Sequence, residues 1–239
     1  MDSLKRYFLI FGVYFSVLFG GILIAYTLSG AVTTITENTD QQTSHNIIID
    51  AGHGGVDGGA TSCSGVLESN INLQIALKLN DLLHLMGIRT TMIRTTDISI
   101  YTEGQTIAAK KVSDLKQRVN IVNKTDAATL VSIHQNYFSD SRYSGAQVFY
   151  ADTAGSIQLA KDMQSKLVRT INKHSNRKVK PAKNIYLMQN INCPGVLIEC
   201  GFLSNPAEDA KLNNPKYQNK IACVIASVLN NYLSKRNIT

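Results

Sequence analysis

Four side chains of this sequence, two imidazoles and two carboxylates, have types and positions that suit metal chemistry. His53 follows the apolar segment NIIID in a glycine-rich loop, and His134 ends the apolar segment TLVSIH. Glu68 precedes an amphipathic helix, and Glu199 ends the apolar segment VLIE. Because the chain holds only five His and five Glu, and because reactive groups gather at the carboxyl ends of strands in α/β sheets, these placements are informative.

Two His and one Glu match the ligand set of a catalytic zinc, which takes three protein ligands and a water. Zinc lowers the pKa of its water toward about 7 and polarises a carbonyl. A further carboxylate is needed to take the water proton and pass it to a leaving amine, and Glu199 is the natural candidate. No local H-E-x-x-H pair is present, so the ligands must converge from distant segments.

Phosphate binding is a poor interpretation of the glycine-rich loop. A dinucleotide fingerprint needs G-x-G-x-x-G, but Asp57 occupies the last glycine position, and no G-K-[ST] of a P-loop follows. The glycines are better explained by a tight turn that brings the backbone close to a ligand site.

Hydrophobic periodicity predicts alternating strands and helices. The predicted strands are 46–50, 88–95, 129–134, 145–151 and 196–199, and the predicted helices are 69–86, 114–123, 155–172 and 215–233. Residues 99–113 fit neither period and are expected to form a surface excursion. The alternation predicts an α/β fold with a largely parallel or mixed sheet.

Residues 1–30 differ from the rest of the chain. After Lys5 and Arg6, no charged side chain appears until Glu37, and the uncharged run is long enough to span a membrane, which needs about 20 apolar residues. A retained membrane anchor and a cleaved signal peptide both remain open. Either implies export of the remainder, and residues 31–45 are expected to be a polar tether.

Composition narrows the possible partners. The 239 residues are 44% hydrophobic and 17% charged with four Cys, which excludes a disordered chain and a disulfide scaffold. The formal net charge of +7 permits an acidic partner. An exported domain rarely meets nucleic acid, so an anionic wall polymer or lipid surface fits better, with an ordinary soluble surface as the alternative.

Several stretches together resemble the zinc-dependent N-acetylmuramoyl-L-alanine amidases of the Amidase_3 family. They are IIIDAGHGGVDGGA (47–60), GVLESNINL (65–73), LVSIHQNY (130–137), GAQVFY (145–150) and VLIECGFLSN (196–205). The resemblance implies one Zn²⁺ held by His53, Glu68 and His134, with Glu199 as the catalytic carboxylate. It also implies a twisted mixed sheet of about six strands flanked by helices, in a single catalytic domain over 46–236 behind the N-terminal membrane segment.

Within that family, a single domain without wall-binding repeats most resembles the germination-specific amidases of endospore-forming bacteria. Those enzymes act on cortex peptidoglycan and prepare muramic-δ-lactam formation. The resemblance therefore implies peptidoglycan as the substrate, at the outer face of the cytoplasmic membrane or in the spore cortex region. A non-catalytic wall-binding module and another zinc peptidase are the alternatives. Because no long inhibitory insertion is visible, control is expected either from the timing of expression or from an exported accessory or activating protein that completes a weak zinc site.

Three further residues are weaker candidates. Asn136 could face the cleft and contact substrate, and Asp50 could orient a ligand imidazole as a hydrogen-bond acceptor. Arg118, like Arg94, could meet a substrate carboxylate, but pairing with a buried carboxylate is the favoured interpretation.

The four cysteines do not indicate a metal knuckle. Cys200 is expected to face the core, because neighbouring strand residues point to opposite faces. Cys63 is expected to be exposed. Bridges among Cys63, Cys193, Cys200 and Cys223 stay undetermined by spacing.

Overall fold

The structure is a computed structural model and describes residues 45–236. Its strands are β1 (Asn46–Ala51), β2 (Thr90–Met92), β3 (Ala128–Asn136), β4 (Gln147–Tyr150), β5 (Lys180–Pro181) and β6 (Gly195–Phe202). Its helices are α1 (Glu68–Leu85), α2 (Ile107–Lys124), α3 (Ser156–Thr170), α4 (Tyr186–Asn190), α5 (Pro206–Leu212) and α6 (Pro215–Arg236). The order of elements confirms the predicted α/β class.

The six strands form one mixed sheet in the order β2-β1-β3-β6-β4-β5. Strands β2, β1, β3 and β6 are parallel, while β4 runs antiparallel to β6 and parallel to β5. The carboxyl ends of β1, β3 and β6 therefore meet at one edge, together with the amino end of β4. We call this the catalytic edge.

Alternate residues of the central strands pack on opposite faces of the sheet, as the period of two requires. On one face, Ile49, Ile133 and Ile198 belong to a core shared with α1, α3 and α6. On the other face, Ile48, Leu130 and Leu197 belong to a smaller core with α2 and α4. His134 lies four residues after Leu130 on β3, and Glu199 lies two residues after Leu197 on β6. Their side chains therefore lie on the same face of the sheet as those leucines, the face that α2 and α4 cover.

Three boundary predictions were wrong in extent. Strand β6 continues three residues beyond Glu199 to Phe202, so Glu199 lies within the strand and not at the end predicted over 196–199. Helix α2 begins at Ile107, so the second half of the expected surface excursion 99–113 is helical. Thr106 caps it by accepting a hydrogen bond from the amide of Ala109, but the exposed apolar side chains of Ile107 and Val112 blur the helical period. The strand expected over 88–95 shrinks to Thr90–Met92, which lies at the edge of the sheet and pairs only with β1.

The three shortest elements were not predicted from hydrophobic periodicity. Strand β5 has two residues, α4 has five and α5 has seven, too few for a helical or strand period to emerge. Helix α5 carries a local signal, since Asn205 caps it and Pro206 follows, the usual residues at these positions.

Within residues 45–236, no helix has the length and apolar character that crossing a bilayer requires. The predicted membrane segment 1–30 and residues 31–44 of the tether lie outside the described residues.

Candidate metal centre

Three of the predicted residues meet at the catalytic edge. His53 comes from the loop after β1, Glu68 from the first turn of α1, and His134 from β3. One ring nitrogen of each histidine and one carboxylate oxygen of Glu68 all lie within 4.8 Å of one another. The side chains of His53 and His134 are 26% and 19% exposed, so the cluster opens to the surface.

The carboxylate of Glu68 lies between the two imidazoles. Its Oε2 is 3.3 Å from Nε2 of His53, and its Oε1 is 3.1 Å from Nδ1 of His134. Backbone amides of Ala60 and Gln135 donate to the same oxygens at 3.1 Å. Burial raises the pKa of Glu68, but the hydrogen bonds and charges of His134 and His53 outweigh it and hold the pKa well below its usual value.

Asn72 orients Glu68 from one turn further along α1. Its Nδ2 donates to Glu68 Oε1 at 3.2 Å and to the carbonyl of Gly52 at 3.1 Å. Gln135 in turn donates to Oδ1 of Asn72 at 3.1 Å. Because Asn72 is fully buried, this network fixes the carboxylate at its position. The sequence analysis missed Asn72, although the spacing of i and i+4 on one helix face is a signal for such a contact.

His53 is oriented by Asp57, a residue that the sequence analysis did not assign. Nδ1 of His53 lies 2.9 Å from Oδ2 of Asp57, and Lys111 of α2 pairs with the other oxygen at 2.7 Å. A carboxylate on the far nitrogen fixes the ring and tautomer of a ligand histidine and raises its basicity. His53 itself has φ of 61°, a left-handed conformation that is uncommon outside glycine and typical of functional sites.

In the metal-free protein, His53 carries a proton that metal binding must displace. Burial lowers the pKa of His53, yet the carboxylates of Asp57 and Glu68 together raise it to about 9. Since a metal ligand must be the neutral imidazole, binding at neutral pH releases this proton.

Glu199 stands beside the cluster in register with one of its members. Strands β3 and β6 pair in parallel with His134 opposite Glu199. Oε2 of Glu199 is buried and has no hydrogen-bond partner among the described residues. In the metal-free site, burial raises the pKa of Glu199 to about 7.

Asp50 and Arg118 lie in the interior rather than at the surface of the cluster. Arg118 is 2% exposed and donates to Asp50 at 2.5 Å, to Asp114 at 2.6 Å and to the carbonyl of His53 at 2.8 Å. The second oxygen of Asp50 accepts from Ser132. Asp50 makes no hydrogen bond to an imidazole within residues 45–236. Arg118 is buried and pairs with Asp50 and the partly buried Asp114, in line with the favoured interpretation of its role.

Asn136 ends a strand, and two of the cysteines lie where the sequence placed them. The half-buried Asn136 ends β3, and its side chain makes no hydrogen bond within residues 45–236, which leaves its amide available to a ligand. Cys200 is buried in the core and Cys63 is exposed, as predicted. All four cysteines are free.

The donor set fits a single zinc ion. Two imidazole nitrogens and one carboxylate oxygen are the ligand types of a catalytic zinc, and they already converge. The orphaned Oε2 of Glu199 supports the fit, because a buried polar atom without a partner indicates a group that meets a ligand.

Comparison with known proteins assigns a family to this arrangement. Residues 47–231 match the Amidase_3 family, N-acetylmuramoyl-L-alanine amidase. The chain is 40% identical over 192 residues to the germination-specific N-acetylmuramoyl-L-alanine amidase of Bacillus subtilis, covering 80% of each chain.

Solved structures agree with the curated relatives. The CwlD amidase from Clostridioides difficile, in complex with the GerS lipoprotein, has a TM-score of 0.77 and 43% identity and covers 80% of this chain and 100% of its own. An N-acetylmuramoyl-L-alanine amidase from Clostridium difficile 630 has a TM-score of 0.69 and 35% identity, covering 80% and 97%.

A side chain at position 52 is expected to weaken metal binding. A Cβ at this position would collide with the imidazole of His134, so Gly52→Ala should lower zinc affinity about 10–100-fold while the fold persists. Gly58→Ala is the matched control, because its Cβ would meet only the flexible end of Leu67 at 3.1 Å. Competition with a chelating dye measures the affinity, and equal values for both variants would refute the steric argument.

Arg118→Met should destabilise the protein by about 3–5 kcal/mol, because it leaves the buried carboxylate of Asp50 unpaired. Arg142→Met removes only an exposed pair with Asp140 that solvent screens and should leave the free energy of unfolding nearly unchanged. Urea unfolding at pH 7 gives both values.

The pH dependence of the Arg118→Met effect is a second check. Burial raises the pKa of Asp50, but Arg118 and other partners bring it below its usual 3.8. The stabilisation is therefore present above that value and is lost as the pH falls through the lower folded pKa. A deficit that stayed constant down to pH 2 would contradict this account.

Glu199→Gln should alter the pH dependence of stability in the metal-free protein. Burial raises the pKa of Glu199 from 4.5 to about 7, so the folded state binds this proton more tightly than the unfolded state. The wild-type chain should therefore lose about 3 kcal/mol relative to the variant as the pH rises from 4 to 8. Urea unfolding in chelator across this range measures the difference; parallel curves would show that Glu199 titrates normally.

Proposed function

We propose that this chain, which belongs to the N-acetylmuramoyl-L-alanine amidase family, is a zinc hydrolase of spore-cortex peptidoglycan. It hydrolyses the amide bond between N-acetylmuramic acid and L-alanine. The observation that carries the proposal is the convergence of His53, Glu68 and His134 with Glu199 in register beside His134.

His53, Glu68 and His134 would hold the ion. When bound, a zinc ion there supplies Lewis-acid polarisation of the amide carbonyl and a lowered pKa for water. Asp57 and Asn72 keep the ligands at their positions before the ion arrives, so little reorganisation is needed. The buried carboxylate of Glu68 also contributes the negative charge that compensates a dication.

Glu199 moves the proton. Its carboxylate accepts a proton from the attacking water as the new bond to the carbonyl carbon forms. It then donates that proton to the nitrogen of L-alanine as the C–N bond breaks, so that the peptide leaves as a free amine. The side-chain amide of Asn136, at the end of β3, would hydrogen-bond the substrate next to the scissile bond.

The cortex assignment is supported by the relative from Bacillus subtilis, whose name describes it as germination-specific. Hydrolysis leaves the lactyl carboxyl of muramic acid free of peptide, and this is the group from which a δ-lactam can form. The chain would act outside the cytoplasmic membrane, exported by its residues 1–30, either retained there as an anchor or cleaved.

An exported accessory protein is part of the proposal. The CwlD amidase to which this chain is similar is described in complex with the GerS lipoprotein. By analogy, an exported protein at the same membrane surface would regulate this domain.

Glu199→Gln should abolish hydrolysis while zinc binding persists. Loss of the proton carrier is expected to lower the rate about 10²–10⁴-fold, whereas the three ligands remain. Glu103→Gln is the matched control, since it makes the same change at an exposed carboxylate. Mass spectrometry of digested cortex peptidoglycan measures release of peptides with a free L-alanine amine, and metal analysis measures zinc content.

Each alternative predicts a different product. Full activity of Glu199→Gln would refute its role as proton carrier. Release of a C-terminal residue instead of the whole stem peptide would indicate another zinc peptidase. Sedimentation with peptidoglycan without any release by the wild-type chain would indicate a non-catalytic binding module.

A further inference from the structure

A cleft of about 710 Å³ opens between the loop 143–145, the segment 171–177 and helix α5. Its lining includes Lys173, Arg177 and Lys211. A second cleft of about 750 Å³ shares Arg177 and continues toward Lys161 and Arg169. We call the two together the basic groove.

The basic groove is lined in large part by a strongly cationic segment of the chain. Residues 161–183 contain eight Lys and Arg and one Asp, a net formal charge of +7, which equals the net charge of the whole 239-residue chain. Most of these cationic side chains are exposed. Five of the eight cations line the basic groove, namely Lys161, Arg169, Lys173, Arg177 and Lys178.

The cations of the basic groove have no anionic partners within residues 45–236. None of Lys161, Arg169, Lys173, Arg177 and Lys211 is among the ion pairs of the described chain. The acidic residue of the lining, Glu208, is 8% exposed and accepts from the amides of Gly145 and Phe202. The carboxylate of Glu208 is therefore occupied by backbone amides and forms no ion pair with the cations of the groove.

Arg177 is held in one orientation between the two clefts. Its Nε donates to the carbonyl of Ser144 at 2.8 Å, and its Nη1 donates to Oε1 of Gln147 at 3.0 Å. The guanidinium lies 4.6 Å from the ring centroid of Phe202. Nη2 makes no hydrogen bond within residues 45–236. Because the Arg177 side chain is already ordered, its free N–H groups can bind a ligand with little further loss of conformational entropy.

The basic groove begins at the catalytic edge. Gln147, which holds Arg177, pairs with Glu199 in the antiparallel register of β4 and β6. Neighbouring strands are about 4.8 Å apart, so the groove starts one strand away from the residue that carries the proton. A substrate that extends from the metal centre across β4 would reach Arg177.

We propose that the basic groove binds the free carboxylates of peptidoglycan stem peptides that neighbour the peptide being cleaved. This inference rests on the proposed function, since it takes peptidoglycan as the substrate. Arg177 receives one carboxylate through its free Nη2, and Lys173 and Lys211 add charge across the cleft. Each of the two clefts, taken singly, has a volume in the usual 300–1,000 Å³ range of ligand sites. Both are open to solvent, so small anionic groups on a polymer strand can enter them from the side.

Sedimentation of the full chain with purified peptidoglycan tests the proposal. All proteins carry Glu199→Gln, so that the polymer stays intact, and the peptidoglycan is stripped of phosphate-containing wall polymers. Lys173→Gln with Lys211→Gln should weaken binding about fivefold, as expected for two exposed ion pairs. The control, Lys116→Gln with Lys220→Gln, removes the same charge from exposed positions on α2 and α6 and should change binding less than twofold.

Chemical modification of the peptidoglycan identifies the anionic group that the groove binds. Amidation of the peptidoglycan carboxylates should abolish the difference between the two double variants. Equal weakening by both variants, or undiminished binding to the amidated polymer, would overturn the proposal. So would a groove-dependent association with anionic lipid vesicles but not with peptidoglycan. Stem-peptide release by the wild-type chain is measured in parallel, and its absence would refute the amidase function independently of binding.

Discussion

The carboxylate of Glu68 is the group on which the rest of the site depends. It is 4% exposed, and its two oxygens meet both imidazoles, two backbone amides and Asn72. A buried carboxylate is costly unless it is paired and hydrogen-bonded, and here the groups that satisfy it are those that would share a metal with it. The same contacts bind α1 to β3 and to the glycine-rich loop.

Two buried arginines support this loop from beneath. Arg94 donates to the carbonyls of Ala51, Gly52 and Ser69, and Arg118 donates to those of Ala51 and His53. Backbone carbonyls in a tight turn have few partners of their own, so the two guanidinium groups supply the donors that the turn lacks. The left-handed His53 is thereby held in a conformation that an isolated loop would leave.

The hydrophobic pattern predicted the central strands and the long helices because their periods extend over enough residues to be recognised. It missed β5, α4 and α5, which are too short for a period, and misjudged the start of α2, where exposed apolar residues obscure it. Among site residues, His53, Glu68, His134 and Glu199 could be identified because each ends or adjoins an apolar segment that is recognisable in the sequence. Asp57 and Asn72 stand within a loop and a helix face, where many polar residues are ordinary.

The sequence by itself determined the α/β class, the four residues capable of the chemistry and the total positive charge, because composition and local periodicity are properties of the chain. The tertiary structure decided which of these groups meet. Strand order and register bring residues from three segments to one edge and place Arg118 in the interior. They also gather cations that are separated along the chain, such as Lys173 and Lys211, into one groove. Such contacts depend on packing between distant segments, which no local pattern records.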